Sequence, residues 1–265
     1  MKKILLTVLM SSALATNYVL AESGDSVYVP SSPYFSTVYS VMENKEEVRV
    51  SGNQTKGKYR ANSLIEERIK ALSSNVSAIA DNKKLTTEQK SLLTTQLTTS
   101  SANLTVLKNS IASSTDATST KLLIDSIFKD FRIYGIVIPK VRIESRIYQL
   151  KNHTEALSQT FSKIQTKIYE SKAQGRDVSL WQKGLDDAKV LVAGEMFKLD
   201  DLLKKTATLT PQSYGTTSKE VIDSVNRDLK LISKELNTVV GKVRKPYNLK
   251  KVSTSTTVSA TSSSR

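Results

Sequence analysis

Cysteine is absent from this chain of 265 residues, and His153 is its one histidine. Without cysteine there is no disulfide to staple the fold and no thiol nucleophile. One histidine excludes a Cys/His catalytic pair and a clustered histidine metal site. We therefore expect no catalytic residue, no metal site and no cofactor site. We also expect His153 to be a solvated residue on a helix surface.

Adjacent carboxylates are the remaining candidates for acid/base chemistry. They occur at Glu66-Glu67 and at Asp186-Asp187. Both pairs lie among lysines on predicted helix faces, where solvated ion pairs are the ordinary arrangement. With no glycine-rich phosphate loop either, the sequence predicts a protein that is not an enzyme.

Glycine, proline and aromatic residues are also scarce: the chain has 9 glycines, 5 prolines and 6% aromatic residues. Compact sheets need far more turn-forming residues, so an all-β fold is excluded. Abundant Leu, Ile, Val, Lys, Ser and Thr favour long helices with short connections. The predicted fold class is all-α, with elongated antiparallel helical bundles and thin cores between helices.

The N-terminus has the pattern of an export signal. Lys2 and Lys3 precede an apolar region over 4–14, and Val19-Leu20-Ala21 forms a small-residue end that signal peptidase could cut. A retained membrane anchor is the alternative, but the apolar run is shorter than the roughly 20 residues that span a bilayer. We expect residues 1–21 to be a signal peptide and the mature protein to be bacterial and periplasmic, cell-surface or secreted.

Two stretches outside the helical part read as irregular. Residues 22–60 lack a sustained helical period and contain Pro30 and Pro33, which predicts an extended or disordered arm. A short β-hairpin or a partner-binding strand is the alternative for that arm. Residues 246–265 are rich in Ser and Thr and poor in apolar residues, which predicts a disordered tail.

Apolar residues recur at steps of three and four between these ends, as in a coiled-coil seam. Thr86 and Gln89 predict a capping box, and Thr217 with Glu220 predicts another. Gly175 followed by Asp177 predicts a helix stop and a new N-cap. The predicted helices cover 61–82, 87–113, a central helix of about 55 residues, 178–205 and 218–244, with Pro246 ending the last.

The central stretch Lys129–Arg146 decides how these helices are arranged. Pro139 removes a backbone donor and presses on the carbonyl of Gly135, so we predict a kink there and name both residues as a candidate hinge. The alternative use of this apolar stretch is as the crossing point of two bundles. We predict two three-helix bundles, 61–140 and 141–245, sharing the central helix; a break at Pro139 with one folded-back bundle is the alternative.

One part of the chain resembles a known group of proteins. The segment beginning at Leu85 and Thr86, followed by the stretch around Pro139, is similar to uncharacterised exported helical, coiled-coil-like proteins of candidate-phylum and other bacteria. The resemblance implies export and a helical fold, and it implies no activity. The matching positions are Leu85, Thr86, Asp130, Arg132, Tyr134, Pro139 and Lys140.

Positive charge is the strongest functional lead, with a formal net charge of +14. Cations near the end of the last predicted helix have two possible roles: they complement the helix dipole, or they bind an anionic membrane or wall polymer. Nucleic acid is a less favoured partner for an exported chain. We expect a scaffold or interaction protein of the cell envelope that binds an envelope protein or itself through helical faces. The alternatives are a basic binding module and a periplasmic holdase chaperone. The candidate anion-binding residues are Lys242, Arg244, Lys245, Lys250 and Lys251.

Overall fold

A computed structural model describes residues 54–248, and this part of the chain consists of helices joined by short connections, without a strand. The all-α prediction is therefore confirmed. A π-helical turn, Ile133–Val137, leads directly into the fourth helix, and a 3-10 turn, Pro211–Ser213, precedes the sixth. The α-helices are α1 Gln54–Ala80, α2 Thr87–Ser113, α3 Ala117–Lys129, α4 Ile138–Ala173, α5 Ser179–Ala207 and α6 Thr216–Asn248.

Local capping signals place several helix ends where the sequence predicts them. The capping box at the start of α2 is confirmed: Gln89 N donates to Thr86 Oγ1 at 3.3 Å, and Thr86 N donates to Gln89 Oε1 at 3.0 Å. Asp116 caps α3 through a 2.6 Å bond from Ser119 N. Gly175 has φ of +75°, as the predicted helix stop requires.

The first helix begins earlier than predicted. Residues 54–60, assigned to the arm from the sequence, form the first two turns of α1. Gln54 Nε2 donates to Thr120 Oγ1 at 3.0 Å, and Lys58 Nζ donates to the Ala112 carbonyl at 3.1 Å. These contacts come from residues more than fifty positions away, so the local pattern could not reveal them. The rest of the predicted arm lies outside the described residues, as do the predicted signal peptide and residues 249–265 of the predicted tail.

Both ends of the last helix also differ from prediction. Helix α6 starts at Thr216, so Thr217 lies inside it and forms no capping box there. The box forms instead on the preceding 3-10 turn, where Thr210 and Ser213 exchange side-chain and backbone bonds of 3.0 and 3.2 Å. At the other end, α6 continues past Pro246 to Asn248, so the proline does not end it.

The predicted single central helix is wrong, because the chain breaks at Asp130–Arg132. Arg132 takes a left-handed conformation with φ of 42°, which ends one helix before the π turn begins the next. Pro139 is the second residue of α4. The π turn, in which Ile138 N–H bonds to the Ile133 carbonyl, widens the backbone where an α-helix would press the proline ring on Gly135.

Buried apolar residues form two clusters along the chain. One extends from Ala61 to Val141 and joins α1, α2, α3 and the start of α4. The other extends from Ile143 to Val239 and joins α4, α5 and α6. Helices α1 and α2 are antiparallel neighbours, as the 2.7 Å bond between Glu66 and Lys108 indicates. The division into two three-helix bundles stays a prediction.

A charged residue lies inside the first cluster. Arg68 on α1 is 3% exposed, and its guanidinium lies 4.9 Å from the ring centre of Phe128 and 5.4 Å from that of Tyr134. Its Nη1 also donates to the Leu64 carbonyl at 3.1 Å. Because Phe128 belongs to α3 and Tyr134 to the π turn, this cation links α1 to both of these elements.

Candidate functional site

Three helix ends meet far from the π turn, and we call this region the distal end. The end of α4, the start of α5 and the end of α6 together line a small apolar cavity of about 20 Å³. Gln165 and Gln182 join α4 to α5 beside it, through a bond of 2.7 Å. The cavity residues are Ile164, Lys167, Ile168, Trp181, Gly184, Leu185 and Val243.

Four exposed cations lie on the segments that meet at the distal end, and none forms an ion pair with another described side chain. They come from separate parts of the sequence: the end of α4, the loop after it, the start of α5 and the end of α6. Of the acids nearby, Glu170 pairs with Lys167 at 2.7 Å, Asp177 accepts bonds from Ser179 and Asp186 pairs with Lys189, while the exposed Asp187 lies one helical turn after Lys183. We call the four the distal cations: Lys172, Arg176, Lys183 and Lys242.

The structure describes only one of the five predicted anion-binding side chains. Lys242 is exposed on α6. Arg244 and Lys245 continue that helix, and their side chains lie outside the described part, as do Lys250 and Lys251 altogether. Sequence reasoning missed the distal cations of α4 and α5 because they are distant in the chain. The signal was available only through topology, since antiparallel helices bring a C-terminus beside the next N-terminus.

The candidate hinge residues lie apart from the distal end. Gly135 is half-buried within the π turn and Pro139 opens α4, so the irregular backbone is at Asp130–Arg132 and the π turn. Contacts from the loop between α5 and α6 cover this place: the Arg132 guanidinium lies 4.2 Å from the Tyr214 ring centre, and Lys140 Nζ donates to the Leu209 carbonyl at 3.2 Å. The candidate hinge is therefore a packed junction.

The expectation for His153 is wrong, because this residue is half-buried on α4. Its Nε2 is enclosed and has no hydrogen-bond partner among the described residues. Burial, and then the positive charge of Lys84, lower the pKa of His153. The predicted carboxylate pairs, Glu66-Glu67 and Asp186-Asp187, are exposed.

Two buried carboxylates were not predicted. Glu195 on α5 is 2% exposed, and Lys198 Nζ lies 2.8 Å from it and 3.1 Å from Glu235 on α6. Burial, and then a hydrogen bond with Glu235, raise the pKa of Glu195. Glu195 is closed to solvent and offers no ligand-binding surface, while the half-exposed Lys198 and Glu235 tie α5 to α6.

Glu144 on α4 is the second buried carboxylate, at 6% exposure. Gln96 Nε2 donates to its Oε2 at 2.8 Å, which joins α2 to α4. Burial raises the pKa of Glu144, while the hydrogen bond from Gln96 and the charge of Lys140 oppose that rise. The ionised form is therefore less favourable in the folded protein than in the unfolded chain.

Glu144→Gln is expected to raise the free energy of unfolding near neutral pH by about 1 kcal/mol. With its folded pKa raised above the ordinary 4.5, Glu144 makes the fold less stable as pH rises through that value, because the unfolded chain loses its proton first. Glutamine does not titrate, so the variant does not lose stability at this position as the pH rises. Thermal unfolding between acidic and neutral pH measures the difference, with the exposed Glu155→Gln as control. Equal pH slopes for wild type and Glu144→Gln would contradict the argument.

Within residues 54–248, no group of three or more histidine or acidic side chains is placed to hold a metal ion. The same range contains no helix both long and apolar enough to cross a membrane. Comparison of the chain with protein families, with curated proteins and with solved structures finds no match.

Proposed function

We propose that the protein is an exported, non-enzymatic helical scaffold or interaction protein of the cell envelope, and that its distal end holds an anionic envelope component. The observation that supports this is that three helix ends line one cavity and that each of them, with the loop after α4, carries an exposed cation. Exposed like charges repel one another, so a group of them costs stability, and a bound anionic partner would relieve that repulsion. This favours a basic binding role over a scaffold that uses its helical faces alone.

Helix stabilisation accounts for only part of the cluster. Lys172 and Lys242 lie near helix C-termini, where a cation complements the dipole. Lys183 lies near the N-terminal end of α5, where the dipole gives a cation no advantage. In the sequence, four further cations follow Lys242 up to Lys251, with no acid among them. An anionic surface would therefore meet charge from several directions.

Fractionation of bacteria that express the full chain tests this proposal. We expect the protein in the envelope fraction, with mass spectrometry placing its N-terminus near Glu22. Concentrated salt should release it, because interactions between exposed charges are screened. The distal variant, which carries Lys172→Gln, Arg176→Gln and Lys183→Gln, should be released at lower salt than wild type.

A matched control separates position from net charge. The control variant carries Lys70→Gln, Lys83→Gln and Lys121→Gln, three exposed lysines of the N-terminal half. It loses the same charge and should be released at the same salt as wild type. Recovery of the wild-type protein in the cytoplasm with its N-terminus intact would contradict export. Release of the distal and control variants at the same salt concentration would contradict a binding role for the distal end.

A further inference from the structure

We propose that the anionic component is a lipid bilayer, on whose surface the distal end docks. This inference rests on the function proposed above and adds the class of partner. Two large apolar side chains are exposed on the same helix ends as the distal cations: Leu180 is 78% exposed and Tyr169 is 63% exposed. A soluble anionic polymer would be held by the cations alone and would leave these side chains in water. A bilayer offers phosphates to the cations and an apolar interior to Leu180.

The positions of the two apolar residues suit a shared contact. Tyr169 lies one helical turn after Gln165, on the face of α4 that bonds to Gln182 of α5. Leu180 is the second residue of α5, at the same end of the helix pair. Tyrosine suits the membrane interface because its ring is apolar and its hydroxyl is polar. Lysine and arginine extend long apolar stems and keep the charge at the headgroups.

Val190, Phe197 and Val106 are exposed apolar residues that lack this combination, whereas Tyr59 on α1 is 80% exposed and adjoins the exposed Arg60. Val190 and Phe197 on α5 are more than 70% exposed, but the neighbouring cations are engaged. Lys189 pairs with Asp186 at 3.8 Å, and Lys198 bridges Glu195 and Glu235. Val106 on α2 lies in the run 91–107, which contains no charged residue. Exposed apolar side chains and cations without an ion pair therefore occur together at the distal end.

Vesicle sedimentation with the chain from residue 22 onward, the predicted mature protein, tests the inference. The probes are vesicles of equal parts phosphatidylglycerol and phosphatidylcholine, vesicles of phosphatidylcholine alone, and polyphosphate as an anionic polymer without a bilayer. We expect binding to the anionic vesicles and much weaker binding to phosphatidylcholine. The distal variant should lose about a hundredfold in partition to anionic vesicles, and the control variant about threefold or less.

An apolar variant separates lipid from polymer. Leu180→Gln with Tyr169→Gln keeps every charge and should weaken partition to anionic vesicles about tenfold. It should leave binding to polyphosphate unchanged, and Val106→Gln should leave both unchanged. Circular dichroism before each measurement establishes that the variants are folded, which both exposed positions should allow.

The outcomes distinguish failure of the lipid inference from failure of the proposed function on which it rests. Two outcomes overturn the lipid inference: the protein binds polyphosphate but not anionic vesicles, or the apolar variant binds vesicles as well as wild type does. Either outcome is still consistent with an anionic partner that is not a bilayer. Equal losses in the distal and control variants overturn the location of the site. Binding to neither probe, together with unchanged envelope release in the distal variant, overturns the proposed function as well.

Discussion

Leu97→Ala and Leu229→Ala are each expected to lower the free energy of unfolding by about 3 kcal/mol, within the usual range for a buried leucine. Both side chains are 0% exposed, the first in the N-terminal cluster and the second in the C-terminal cluster. Truncation removes apolar contacts and leaves a cavity that rigid helix backbones cannot close. Denaturant unfolding followed by circular dichroism measures the loss.

Exposed leucines on the same helices provide matched controls. Leu92 on α2 is 51% exposed and Leu231 on α6 is 58% exposed. Their replacement by alanine should change the free energy of unfolding by about 0.5 kcal/mol or less. Losses of similar size in the control and core variants would contradict the burial that the fold assigns to these positions.

The same two core variants test whether the clusters unfold together. Helix α4 contributes Ile138 and Val141 to one cluster and Ile143 onward to the other, without a break between them. We therefore expect one shared transition, shifted by either substitution. Two separate transitions, each moved by only one substitution, would contradict this coupling and would indicate independent bundles.

Arg68→Ala is expected to lower the free energy of unfolding by about 3 kcal/mol. The change removes a buried cation from between the rings of Phe128 and Tyr134, together with the bond to the Leu64 carbonyl. A cation over a ring gains about 2 kcal/mol when it is shielded from water. Removal of the buried charge offsets part of the loss, because a charge is costly to bury. Chemical unfolding of the purified variant gives the value.

Two further substitutions isolate the cause. Arg68→Met fills the same space without charge, so it should lose about 1 kcal/mol, with the two rings still packed against a side chain. Arg60→Ala, at an exposed position on the same helix, should have almost no effect. A methionine variant as unstable as the alanine variant would support the cation–π contacts as the whole effect. A methionine variant more stable than the wild-type protein would contradict a stabilising role for the charge.

Local patterns predicted the elements whose determinants are close in sequence. The box of Thr86 and Gln89 and the turn at Gly175 each involve residues within three positions. The chain break at Arg132 has no such signal, because arginine rarely adopts a left-handed backbone. Pro139 attracted the prediction of a kink, and the break occurs one π turn earlier.

The burial of Glu195 could have been predicted from the spacing, although sequence reasoning did not name this residue. The seam of α5 runs Ala188, Val192, Leu199 and Leu202, and the gap between the middle two is filled by Glu195. A position that completes a strict pattern of three and four is buried whatever its residue type. The distal cations carry no comparable signal, because only the pairing of helix ends brings Lys172, Arg176, Lys183 and Lys242 together.

Helix α4 is so long that exposed charges at its two ends do not interact with each other. Its 36 residues extend about 54 Å from the π turn to the distal end, at 1.5 Å per residue. At physiological ionic strength the influence of an exposed charge decays over about 8 Å. Lys140 and Arg132 at the junction are therefore insulated from a charged surface that Lys172 touches. A partner held at one end and a ligand held at the other would add their binding energies without electrostatic interference.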